Sequence, residues 1–186
     1  MTLGRLLFIG LVLTSGTSAC TSTSTTVTPI GSPGAAAVSL DGRKVAVLPF
    51  SGPSGPAARQ IATRVLVQQH HASLVPPSKV DTYTHDRGFT PTEYDVEALR
   101  QAANELGADV LVWGDINQFT GYSFDRFAPA TPPYVDMTIH KFGAGGSTVG
   151  SVNAHKQGGL PATIWSRQPT FDDVAEPALA DALNSP

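Results

Sequence analysis

Two uninterrupted apolar runs constrain this chain more than any other feature. Lys44-Val45-Ala46-Val47-Leu48-Pro49-Phe50, behind the turn Asp41-Gly42, and Asp109-Val110-Leu111-Val112-Trp113-Gly114 carry apolar side chains at adjacent positions rather than at alternate ones. Successive side chains of a strand point to opposite faces, so a strand that is apolar throughout is one with both faces covered. Both runs therefore predict buried strands with central places in a sheet. Ala72-Ser73-Leu74-Val75, closed by Pro76-Pro77, predicts a further short strand between them.

The segments between these strands have helical spacing. Ala58, Ile61, Ala62, Val65 and Leu66 fall on one face, with Ser54 placed to cap the helix and Pro56 in its first turn. Thr90-Pro91-Thr92-Glu93 has the spacing of a capping box, ahead of Val96, Leu99, Ala103 and Leu106, and Gly107 supplies a stop. After Gly114 the period changes. Residues 134–140 alternate, Gly143-Ala144-Gly145-Gly146 turns, and residues 148–155 can return as an antiparallel partner. A last helix is expected over residues 172–183, capped by Thr170 and kinked or delayed by Pro177. The fold class that follows is α/β, a mixed sheet built from a strand-helix-strand-helix-strand core, an antiparallel hairpin and a C-terminal helix.

Two of these segments carry a family resemblance. The opening strand, residues 44–50, and the sequence Ala102-Ala103-Asn104-Glu105-Leu106-Gly107-Ala108-Asp109 leading into Val110-Leu111-Val112-Trp113-Gly114 resemble the amino-terminal domain of TolB, the curli-secretion lipoproteins and the lipoprotein activators of peptidoglycan synthases. The resemblance spans about residues 43–156 and rests on signatures of fold. It implies an envelope module that binds or assembles other components.

The amino terminus agrees with that destination. Arg5 precedes the apolar Leu6-Leu7-Phe8-Ile9-Gly10-Leu11-Val12-Leu13, and small polar residues follow, which is the order of a cleaved secretory signal. The run is short of the roughly 20 residues that a membrane-spanning helix needs. Thr17-Ser18-Ala19-Cys20 resembles the lipobox of bacterial lipoproteins, with Thr17 where an aliphatic residue is usual. That likeness implies cleavage after Ala19 and lipidation of Cys20. Cys20 is the sole cysteine, so no disulfide within the chain competes for it. Thr21 stands where many lipoproteins kept in the inner membrane have aspartate, and by resemblance this implies an outer-membrane anchor facing the periplasm. The expected organisation is a signal peptide over residues 1–19, a lipid-anchored flexible tether over 20–40, and one α/β domain over 41–186. A coil of about twenty residues spans roughly 25 Å.

Loss of residues 1–19 removes Arg5 from the 12 basic residues and leaves 11 against 15 acidic ones. Such a balance offers no basic stripe for nucleic acid or anionic lipid, so attachment falls to the lipid. Several local patterns read as structure. Ser51-Gly52-Pro53-Ser54-Gly55-Pro56 lacks the Gly-Lys-Ser/Thr ending of a phosphate loop, and its prolines delete donors. Adjacent His70 and His71 belong to a helix end, and His140 and His155 lie on the hairpin where they could approach each other without regular ligand spacing. No metal or cofactor is expected. The functional feature is residues 119–134, an irregular stretch with five aromatics among prolines. Phe119 and Tyr122 are expected to continue the strand, and Phe124 and Phe127 to form a contact surface for an envelope protein. The reading is a non-catalytic, membrane-anchored binding or assembly lipoprotein. The alternatives are a hydrolase with a non-local site, for which His140 or Asp136 would be the carriers, and a component of a secretion pore.

Overall fold

The two apolar runs lie side by side as parallel strands. The computed structural model describes residues 25–30, 38–125, 128–145, 149–159 and 167–185. Its elements are β1 (Thr25–Ile30), β2 (Lys44–Val47), α1 (Gly55–His70), β3 (Ser73–Leu74), α2 (Pro77–Arg87), α3 (Val96–Leu106), β4 (Val110–Thr120), β5 (Ser123–Asp125), β6 (Ala128–Thr131), β7 (Tyr134–Gly143), β8 (Val149–Gln157) and α4 (Phe171–Asn184). Six strands form one sheet in the order β1-β8-β7-β4-β2-β3, and β5 pairs with β6 apart from it. β2 is parallel to both neighbours, and β4, β7, β8 and β1 pair antiparallel in turn. The mixed sheet, the hairpin and the C-terminal helix are as expected.

The sheet divides two cores. Val45, Val47, Val110 and Val112 pack toward α1 and α4, with Ile61, Val65 and Leu179 among the covering residues. Ala46, Leu48, Leu111 and Trp113 face α2 and α3, against Val80, Leu99 and Leu106. Adjacent residues of one strand thus serve opposite cores, which is why the runs are apolar without interruption. Leu48, Val65, Leu99 and Leu111 are all fully buried.

Four elements differ from the sequence reading. Within the stretch read as a tether, Thr25–Ile30 is an edge strand on β8, in register from Thr25 opposite Lys156 to Ile30 opposite Ser151. In its sequence, TTVTPI, Val27 packs against the core while Thr26 and Thr28 face solvent, and threonines suit a sheet border as well as a coil. The second difference is α2, whose only buried residue is Val80, so no apolar period announces it. Polar ties hold it instead. Arg59 Nη1 donates to Asp81 Oδ1 at 2.6 Å, Arg87 pairs with Glu105 at 2.8 Å, and Lys79 Nζ donates to the Leu106 carbonyl at 2.8 Å.

The third difference is the start of α3. The cap is Asp95, whose carboxylate accepts from the Ala98 amide at 3.0 Å, and residues 90–93 precede the helix. Glu93 lies ahead of the helix and completes no capping box; its carboxylate accepts the Ser151 hydroxyl instead. Lastly, part of the aromatic stretch read as irregular is the small hairpin β5–β6. Pro177 lies inside α4 without ending it, since Val174, Ala178, Leu179, Ala182 and Leu183 are buried and their packing outweighs one lost backbone bond.

One polar side chain crosses the α4 core. Lys141 of β7 is 1% exposed and carries its ammonium to the carbonyls of Leu183 and Ser185 at the C-terminal end of α4. Those carbonyls lack helical partners and carry the negative end of the helix dipole. Burial pushes the Lys141 amine below its ordinary range.

Candidate functional site

The helices cover the sheet unevenly. On the face that carries α2 and α3, the antiparallel half presents polar side chains that are half-buried or exposed: Asn117 from β4, Tyr134, Asp136 and Thr138 from β7, and Asn153 and His155 from β8. On the other face of β7, Val135, Met137 and Ile139 are fully buried. This alternation of period two is the signature of a sheet with one wet side.

A β-bulge widens the polar side. Ile116 pairs with Met137 but Gln118 pairs with Asp136, so Asn117 is the extra residue. The bulge returns Phe119 to the core side, where its ring meets Phe171 edge-on at 5.0 Å, and leaves Asn117 with the polar residues. The Asn117 amide donates to Thr138 Oγ1 at 3.1 Å and Asp136 Oδ1 at 3.4 Å. Tyr134 lies beside His155 with ring centres 6.5 Å apart. Burial, reinforced by Asp136, raises the Tyr134 hydroxyl above its usual range and keeps it a donor. The surface offers amide, hydroxyl, carboxylate and imidazole groups for recognition.

Where this face meets α3, a polar network around the buried His140 and Ser151 closes it. His140 Nδ1 is 2.8 Å from Ser151 Oγ and its Nε2 is 3.2 Å from Asp115 Oδ2. The Ser151 hydroxyl donates to Glu93 Oε2 at 3.0 Å, and the Ser51 hydroxyl donates to the other Asp115 oxygen. Trp113 stacks on the imidazole at 5.0 Å.

Serine, histidine and aspartate thus stand in line, a juxtaposition that needs a chemical test. A serine nucleophile must present its oxygen to a substrate beside converging amide donors. Ser151 is 5% exposed in the middle of β8 and gives its proton to Glu93. The array therefore ties the segment before α3, and the loop after β2, to the sheet; it does not expose a nucleophile.

The sequence-derived candidates are dispersed. His140 opposes Ser151, while His155 opposes Asp136, so the two histidines are four ladder positions apart, about 13 Å along the strands. His140 and His155, which could have approached each other across the hairpin, do not meet, and His140 and Asp136 are separated by the same distance on one strand. His70 pairs with Asp41 at 2.8 Å and His71 ends α1 in the left-handed conformation. No group of three or more His, Cys, Asp or Glu residues gathers for a metal among the described residues. Cys20 and Phe127 lie outside the described residues; Phe124 belongs to β5, and its side chain lies outside them. Asp115, Glu93 and Ser151 escaped the sequence reading because their meeting depends on strand register and on a loop 58 residues away in sequence.

No described protein family matches the sequence, and no curated protein does. Solved structures with a similar fold do exist. A point variant of the PelC dodecamer from Paraburkholderia phytofirmans superposes with a TM-score of 0.52 at 19% identity, over 86% of this chain and 96% of that one. Lipoprotein GNA1162 from Neisseria meningitidis gives 0.43 at 12% identity, over 61% and 83% of the two chains. The LpoB C-terminal domain from Salmonella enterica gives 0.41 at 10% identity, over 61% and 82%. The likeness to PelC is one of fold, and the looser superpositions add no argument to it. No helix among the described residues is long and apolar enough to cross a membrane.

Proposed function

We propose that this chain is an envelope lipoprotein, anchored to the outer membrane through lipid on Cys20, that works on the periplasmic side as a non-catalytic assembly module. The observation that carries the proposal is the sequence Thr17-Ser18-Ala19-Cys20 behind a short apolar run. The fold supports it: PelC, similar over most of both chains, is a dodecamer, and assembly is what such a domain does there. The partner is an envelope protein, met through the β5–β6 hairpin with Phe124 and Phe127 and the adjoining polar sheet face.

Anchoring has a direct test. Cys20→Ala is expected to move the protein from the membrane fraction to the soluble envelope fraction, and a fatty-acid label should mark the wild type alone. An unlabelled wild type in the soluble fraction would overturn the lipoprotein reading.

The contact surface has its own test. Phe124→Ala combined with Phe127→Ala should leave membrane attachment and circular dichroism unchanged while removing the partner from a crosslinked pull-down, since aromatics buried against a partner commonly contribute above about 1 kcal/mol each at a hot spot. If the double variant unfolds instead, those rings belong to the core and the surface is elsewhere.

A further inference from the structure

Helices α1, α3 and α4 each bury a row of side chains, whereas α2 buries Val80 alone. The chain on either side of α2 is fixed: the Val75 amide donates to the Val45 carbonyl at 2.9 Å, and the Glu93 carboxylate accepts from Ser151 at 3.0 Å. Between those points, among the described residues, the backbone hydrogen bonds of residues 76–92 are all local. No ladder joins this stretch to the sheet.

Left to itself the helix would not hold. At 11 residues it is shorter than an isolated helix needs to be stable in water. Its sequence adds little, since Thr82 and Thr84 are β-branched, Pro76 offers no side-chain cap, and the first turn has no acidic residue to meet the dipole. Packing contributes the one valine and two half-buried rings, Tyr83 and Phe89, that meet edge-on at 5.6 Å.

The rest of the hold is charge. Asp81 reaches Arg59 of α1, Arg87 reaches Glu105 of α3, and Lys79 meets the Leu106 carbonyl at the negative end of α3. In each ion pair the member outside α2 is tied down, Arg59 Nε by the Val47 carbonyl and Glu105 by the Gln101 amide. The α2 members are the loose ones, 56% exposed at Asp81 and 58% at Arg87, so dissolved ions reach them. The screening length is about 10 Å at 0.1 M salt and about 3 Å at 1 M.

We propose that α2 is a cover that opens as a unit, at a frequency set by ionic strength, while the sheet, α1 and α3 stay folded. Opening draws Val80 out of the cluster it shares with Leu48, Val75, Leu99 and Leu106, and so bares an apolar surface that the closed domain hides. The device does not depend on the proposed anchor or on the hairpin surface.

Hydrogen exchange of the full chain, followed by mass spectrometry at neutral pH in about 0.05 M and about 1 M sodium chloride, tests it. A synthetic peptide of residues 76–92 corrects for the effect of salt on the exchange chemistry. Amides of residues 80–87 are expected to exchange together, at least about 100-fold faster than those of α1 and α3 at low salt, and about fivefold faster again at high salt. Protection of α1 and α3 should change by less than about twofold. Lys79→Met combined with Asp81→Asn and Arg87→Gln should bring α2 at low salt to the rate that the wild type reaches at high salt, and should abolish the salt response. Protection of α1 and α3 reports that this variant is folded, and Arg87→Gln alone should move α2 part of the way. Protection of α2 equal to that of α3 would overturn the proposal. So would a salt response missing from the wild type, retained in the triple variant, or shared equally by all the helices.

Discussion

Alanine at Gly52 is expected to remove about 2–6 kcal/mol of folding stability, much of what a domain of this size possesses. Two causes add. Gly52 has φ +81°, where a side chain costs about 1–3 kcal/mol. The added Cβ would also fall on the Ile116 peptide, far inside contact with its carbonyl oxygen and 3.1 Å from the carbonyl carbon. Backbone cannot swing aside as a side chain can, and overpacking of this kind costs roughly another 1–3 kcal/mol. Gly42 separates the two causes, because its φ is +64° but a Cβ there meets nothing within 4 Å. Gly42→Ala should therefore show the conformational cost alone. Urea titrations with a common slope measure both; equal losses at the two positions would mean that the loop after β2 does not rest on β4.

Leu111→Ala is expected to cost about 2–5 kcal/mol, because the residue is fully buried in the core facing α3 and its removal leaves a cavity that rigid strands cannot close. Leu74 provides the contrast: it is half-buried on the two-residue edge strand β3, and its truncation should cost less. The same urea titration applies, with far-UV circular dichroism to establish that the folded state persists. A loss under about 1 kcal/mol at Leu111 would place the strand outside the core and overturn the sheet order around it.

The central architecture was legible because hydrophobic period is a local property. Val45 to Leu48 and Val110 to Trp113 announce their burial residue by residue, and Tyr134 to His140 announces a half-wet strand by alternation. Elements held by polar or distant contacts gave no such signal. α2 buries one valine and stands on ion pairs contributed by α1 and α3. β1 is a strand because β8 offers it an edge 131 residues later, at Lys156 for Thr25. The cap of α3 is Asp95, and Glu93 meets Ser151 instead, a contact that exists only once the sheet has formed. For the site, sequence singled out His140 but not its companions, whose roles depend on register.

Docking of β1 changes how far the domain can stand from the bilayer. A free segment of twenty residues would let it roam at arm's length, whereas with Thr25 fixed on the sheet only five Cα steps separate it from Cys20. That leash reaches at most about 17–18 Å when fully drawn out. It is tied at the end of the sheet where β4 finishes and β7 begins, since Thr25 is level with Lys156 and, one pair on, Gln157 opposes Tyr134. On the proposed anchoring, the molecule is therefore moored by one end with little standoff, and the β5–β6 hairpin, strung between those same two strands, rides within reach of the lipid surface.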